Sequence, residues 1–121
     1  MSEIFDRINM LLGGEAMERL KSARVAVFGL GGVGGIAAET LCRSGIYDLT
    51  LFDGDVVTIT NLNRQIVALN STLNIPKAEA MKNRLLDINP QAKITAHYCF
   101  YDKYNADNFD LGGYDYIIDA I

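Results

Sequence analysis

The stretch Arg24-Val25-Ala26-Val27-Phe28-Gly29-Leu30-Gly31-Gly32-Val33-Gly34-Gly35 decides the fold. Residues 25–28 form an apolar, partly β-branched run, as a buried strand needs. The run breaks into glycines, and Ile36-Ala37-Ala38-Glu39-Thr40-Leu41 after them suits a helix. Strand, glycine turn, helix is the setting in which a G-x-G-x-x-G spacing carries meaning, and Gly29, Gly31 and Gly34 meet it. Gly29 permits the tight turn. Gly31 and Gly32 let backbone N–H groups approach an anion with no Cβ in the way, and Gly34 lets the helix lie close on the strand. The helix N-terminus adds unpaired donors and a positive dipole end. Two readings follow: a nucleotide phosphate site, or a tight turn in an α/β protein without a ligand.

Downstream, the helix is expected to present Val33, Ala37 and Leu41 as its apolar stripe and to stop at Gly45. Residues 47–52 read as a second strand closing on Asp53-Gly54-Asp55. A strand–helix–strand unit implies parallel strands. Asp53 then falls at the C-terminal end of the second strand, about 20 residues past the glycine turn, where a carboxylate can accept hydrogen bonds from a ribose. The alternative is an ordinary Asp in a turn.

The next segment, Val56-Val57-Thr58-Ile59-Thr60-Asn61-Leu62-Asn63-Arg64-Gln65, is longer and more polar than a NAD-binding unit needs at this point. It reads as a loop plus a helical turn. Pro76 opens a helix, with Asn74 as a candidate cap. Ala78, Met81, Leu85 and Ile88 give that helix its apolar stripe, and Asn89-Pro90 ends it. Lys77 sits in the first turn, where a cation opposes the helix dipole. It is either a solvated lysine or a lysine that reaches a bound anion. Residues 93–100 read as a third strand, 105–111 as a short helix and 114–121 as a fourth strand. The alternation predicts an α/β, Rossmann-like open, mostly parallel sheet with helices on both faces, with residues 1–121 as its N-terminal part.

Upstream, residues 4–14 and 15–22 read as two short helices separated at Gly13-Gly14, the second carrying Ala16, Met17 and Leu20 on one face. The 121 residues are half apolar, with a net charge of −4 that gives no general reason to bind nucleic acid. No apolar run is long enough to span a membrane. Cys42 and Cys99 are far apart and read as free thiols of a cytoplasmic protein. His97 has no second histidine or cysteine pair beside it, so no metal ligand set is assigned within the chain. The chain stops on an apolar strand pattern, which predicts a piece of a longer protein.

Arg64 and Lys77 add two cations to a site that already prefers anions. A departing pyrophosphate needs more positive charge than a dinucleotide does. The residues therefore favour ATP over NAD.

At this point the sequence resembles the ThiF/MoeB/HesA family, which shares its fold with ubiquitin-activating enzymes. The resemblance is carried by Arg7 ahead of Leu11-Leu12-Gly13, by 24–34, by Leu51-Phe52-Asp53-Gly54-Asp55-Val56-Val57, by Thr60-Asn61-Leu62-Asn63-Arg64-Gln65 and by Pro76-Lys77. It implies ATP-dependent adenylation of a carboxylate with Mg²⁺ and release of pyrophosphate. It implies that Gly32 lies against the phosphates and Asp53 on the ribose. It also implies that Thr60, Asn61, Asn63 and Arg64 line the nucleotide, with Asn61 and Arg64 on the phosphates, that Lys77 neutralises the triphosphate, and that Arg7 reaches the site of a neighbouring subunit in a homodimer. The family's Mg²⁺ aspartate is expected just beyond residue 121, so this piece by itself is expected to bind ATP weakly and not to turn over. The opening segment resembles the branch that cyclises threonylcarbamoyladenosine on tRNA. The alternative substrate is a ubiquitin-like sulfur-carrier protein. A NAD-dependent oxidoreductase domain and a non-catalytic scaffold are the competing classes.

Overall fold

The computed structural model describes residues 3–121. The elements are α1 (Asp6–Leu12), α2 (Gly14–Ser22), β1 (Arg24–Phe28), α3 (Gly32–Ser44), β2 (Asp48–Asp53), α4 (Lys77–Ile88), β3 (Lys93–Tyr98) and β4 (Tyr116–Asp119). The strands form one parallel sheet in the order β3-β2-β1-β4. This is the expected α/β, Rossmann-like arrangement.

The order explains which face each connection covers. The chain steps from β1 to β2 to β3 in one direction, so right-handed crossovers place α3 and α4 on the same face. That face holds the main core: Val25, Val27, Leu49, Leu51 and Ile94 from the strands meet Ala38, Cys42, Met81 and Leu85 from the helices. The chain then returns to the far side of β1 and crosses the opposite face through residues 99–115. Phe28 and Phe52 stack there with centroids 4.4 Å apart, and Tyr101 and Phe109 meet them edge-on. His97 stacks on Phe52 at 4.6 Å, so the lone histidine is part of this aromatic wall. Among the described residues no helix is long and apolar enough to cross a membrane.

The structure differs from the sequence reading in four places. The buried side of α3 is Gly34, Gly35, Ala38 and Cys42, and Val33 is 76% exposed. A Cβ on Gly34 would lie 1.7 Å from the Gly29 carbonyl oxygen, so the helix turns its bare glycine face to the sheet. Asn74 does not cap α4. It adopts φ 67° and donates its N–H to the Val57 carbonyl, while Pro76 pairs with Val56 and precedes Lys77. The helix expected at 105–111 is replaced by two single 3₁₀ turns, Ala106–Asn108 and Leu111–Gly113. Side chains of Asp102, Asn105 and Asp110 satisfy the local N–H groups, which competes with helix formation. The third and fourth strands are shorter than 93–100 and 114–121. The crossover bends away after Tyr98, and Asp115 caps the start of β1 by accepting the Arg24 N–H at 2.8 Å.

Candidate functional site

A cleft of about 270 Å³ opens at the C-terminal ends of all four strands. Phe28 and Gly29 stand at the end of β1, Asp53 to Asp55 at the end of β2, Cys99 to Tyr101 just after β3, and Ala120 and Ile121 just after β4. It lies where the chain reverses its direction across the sheet, the crevice in which open α/β folds bind ligands.

The glycine turn forms the floor. Gly29 has φ +91°, and a Cβ there would sit 2.8 Å from the Ala120 carbonyl oxygen, so only glycine fits between β1 and β4. Gly31 precedes α3, and the helix begins at Gly32 with its first N–H groups turned to the cleft end of the sheet. Asp53 fastens this turn. One carboxylate oxygen accepts the Leu30 N–H at 2.8 Å and the other the Asp55 N–H at 2.7 Å. Each oxygen has a further lone pair for a ligand hydroxyl.

Lys77 is 6% exposed and lines the cleft, and its ammonium makes no ion pair among the described residues. Its backbone N–H is tied to the Asp55 carbonyl at 2.9 Å, which fixes the first turn of α4 against the β2 loop.

The 3₁₀ turn Ile59–Asn61 and the residues after it run beside the glycine turn. Asn61 is buried, and its Oδ1 accepts from the Thr58 N–H at 2.9 Å and the Thr58 hydroxyl at 3.1 Å. Its amide oxygen is therefore committed to shaping the loop. Thr60 is exposed and lends its carbonyl to Arg64 Nη1 at 2.9 Å, while Asn63 Oδ1 accepts from the same nitrogen at 3.1 Å. The guanidinium is thus folded over its own turn. The Arg64 carbonyl lies 3.9 Å from where a Cβ on Gly32 would be, so the loop flanks the helix start.

Arg7 stands apart. It is exposed on α1, which follows Phe5, and Phe5 packs against Tyr47 at the start of β2. That is the N-terminal end of the parallel strands, opposite the end that carries the cleft. Among the described residues no three or more His, Cys, Asp or Glu side chains converge as a metal site.

Several lining residues were not read from the sequence as part of the site: Phe28, Phe52, Cys99, Phe100 and Tyr101. Phe100 folds over Gly54, where a Cβ would lie 2.4 Å from its ring. The available signal was position, since each lies at or just past the C-terminal end of a strand. Burial, with the Asp102 charge added, pushes the Cys99 thiol up from its ordinary value.

A model of the ThiF family matches residues 5–121. The tRNA threonylcarbamoyladenosine dehydratase of Bacillus subtilis is 47% identical over 116 residues, covering 96% of this chain and 46% of that protein. The solved structure of the Escherichia coli tRNA N6-threonylcarbamoyladenosine dehydratase in complex with ATP superposes with a TM-score of 0.94 at 41% identity, covering 98% of this chain and 49% of the other. The molybdopterin-synthase adenylyltransferase of Salmonella typhimurium is 44% identical over 81 residues, covering 67% of this chain and 32% of that protein. The chain spans about half the length of the dehydratases it matches. On the family match and these identities, the chain belongs to the ThiF family.

Proposed function

We propose that residues 1–121 are the N-terminal part of an ATP-binding adenylating domain, and that the whole protein activates the carboxylate of threonylcarbamoyladenosine on tRNA for cyclisation. The observation that carries the reading is the meeting of three groups at one cleft: a bare helix N-terminus, the Asp53 carboxylate and Lys77, whose ammonium makes no ion pair among the described residues. Anion donors, a hydroxyl acceptor and a cation are what a nucleoside triphosphate requires. The similarity to a dehydratase solved with ATP supports it.

In the step proposed, a carboxylate oxygen of the substrate attacks the α-phosphorus of ATP. A new O–P bond forms, the bond to the β-phosphate breaks, and pyrophosphate leaves with the charge. Gly31 and Gly32 seat the phosphates, Asp53 accepts from the ribose, and Lys77 with Arg64 holds the charge that develops on the leaving group. Thr60, Asn61 and Asn63 shape the loop that presents Arg64. Positioning and charge are sufficient, and no side chain acts as nucleophile. Mg²⁺ would accompany the triphosphate through phosphate oxygens and water, and would offset charge on the departing pyrophosphate beside Lys77 and Arg64.

Arg7 lies toward the N-terminal end of the strands, away from the cleft of its own chain, and the family resemblance gives it a role in the neighbouring site of a homodimer. The place of work is the cytoplasm, which supplies ATP and tRNA and keeps Cys42 and Cys99 reduced. The similarity to molybdopterin-synthase adenylyltransferase favours a second acyl substrate, the C-terminal carboxylate of a ubiquitin-like sulfur carrier.

Titrating the chain with ATP and with NADH, followed by backbone amide shifts, tests the nucleotide class. The reading expects ATP to move the amides of Gly31, Gly32, Asp53 and Lys77. A response to NADH with none to ATP reverses it. Incubating the full-length protein and ATP with tRNA or with a sulfur-carrier protein then separates the two acyl substrates.

A further inference from the structure

Arg64 spends one of its three guanidinium nitrogens on its own loop and keeps the other two free. Nη1 donates to the Thr60 carbonyl at 2.9 Å and to Asn63 Oδ1 at 3.1 Å. An NH₂ group has two hydrogens, so Nη1 is fully used. Nε and Nη2 make no hydrogen bond and no ion pair among the described residues. These two nitrogens form the side-on edge of the guanidinium, which can grip two oxygens of one phosphate in parallel.

The loop gives this contact a firm base. Thr60 lies in the 3₁₀ turn Ile59–Asn61, and Asn61 Oδ1 closes that turn on Thr58. The Arg64 N–H donates to the Asn61 carbonyl at 3.2 Å, and the Arg64 carbonyl lies 3.9 Å from where a Cβ on Gly32 would be. The backbone at both ends of the contact is thus held beside the start of α3. An exposed arginine otherwise samples many rotamers, and ordering it opposes each binding event. One hydrogen bond, to the Thr60 carbonyl, would leave the guanidinium plane free to swing. The second, to Asn63, fixes the plane.

We infer that Asn63 is a positioning residue for Arg64: it pins Nη1, so that Nε–H and Nη2–H form one fixed fork for the charge on the leaving pyrophosphate. The inference rests on the role given to Arg64 above and gives Asn63 a role through its neighbour, not on the nucleotide. The chemistry of the atom agrees. Asn63 Oδ1 is an acceptor, which suits a guanidinium and not a phosphate oxygen.

ATP–pyrophosphate exchange by the full-length protein, with tRNA bearing threonylcarbamoyladenosine, tests this, and melting temperature monitors the fold. Asn63→Ala is made in the parent and in Arg64→Lys, whose ammonium carries the charge but has no fork to orient. In the parent, Asn63→Ala is expected to lower kcat about three- to tenfold and to leave both the KM for ATP and the melting temperature unchanged. In Arg64→Lys, Asn63→Ala is expected to change nothing further. An unchanged kcat in the parent overturns the inference. An equal loss on both backgrounds, or a raised KM at unchanged kcat, also overturns it, because either outcome marks a contact to the nucleotide or a role in the loop alone. Exchange that Arg64→Ala leaves at the parent level overturns the reading of Arg64 itself, a failure distinct from that of Asn63.

Discussion

Asp53 accepts the Leu30 N–H at 2.8 Å, so the carboxylate that lines the cleft also fastens the glycine turn to the end of β2. Its second oxygen holds the Asp55 N–H. Asn cannot replace it without pointing an NH₂ at one of these two donors. Asp53→Asn is expected to lose about 1–3 kcal/mol of stability in urea unfolding as well as nucleotide affinity. Lost affinity with unchanged stability would show that the Leu30 contact holds nothing.

The two glycines at the start of α3 are not equivalent. A Cβ on Gly34 would fall 1.7 Å from the Gly29 oxygen, whereas one on Gly35 would meet Ile66 and Met81 at 3.4 Å. Gly34→Ala is expected to cost at least about 3 kcal/mol through forced separation of helix and strand. Gly35→Ala is expected to stay within about 1 kcal/mol of the parent, since Ala favours the helix. Denaturant midpoints of the two variants check the contrast.

Much of this site was legible because strand–turn–helix geometry follows directly from residue periodicity. Gly29 and Asp53 could be placed at adjacent strand ends from the sequence alone, and Lys77 stood out as a cation at the wrong end of a helix. The buried face of α3 was not legible. Periodicity counts apolar side chains, and Gly34 and Gly35 are buried because they have none. The aromatic wall of Phe28, Phe52 and Phe109 was hidden for another reason. It depends on the 99–115 crossover, whose backbone is held by Asp and Asn side chains without a repeating pattern.

Glu39 on α3 binds Arg84 on α4 and, at 3.3 Å, Arg43 on its own helix. Burial pushes its carboxyl up, but the hydrogen bonds and charges of Arg84 and then Arg43 outweigh this and hold it below its ordinary value. A depressed carboxyl contributes stability above its unfolded pKa and loses it as pH falls through the lower folded value. Stability of the parent chain is therefore expected to fall below about pH 4.3 more steeply than that of Glu39→Gln. Glu39→Gln is expected to cost about 1 kcal/mol at pH 7. Parallel pH curves for the two proteins would remove the ion pair from the account.

The two thiols differ in access. Cys42 is fully buried in the main core, and Cys99 lines the cleft. Burial raises both, with the Asp102 charge adding to the effect at Cys99. Iodoacetamide is expected to modify Cys99 ahead of Cys42, slowly at pH 7 and faster as pH rises past the ordinary thiol range. ATP is expected to slow it. Labelling at Cys99 that ignores ATP would place the nucleotide elsewhere.

The central claim is that Lys77 and Arg64 hold the charge of a triphosphate under attack. ATP–pyrophosphate exchange by the full-length protein, supplied with tRNA bearing threonylcarbamoyladenosine, measures this most directly. The account predicts exchange in the parent, a loss of about 10²–10³-fold in Lys77→Met with no fall in melting temperature, and a loss in Arg64→Ala. Exchange that survives both substitutions unchanged would contradict it.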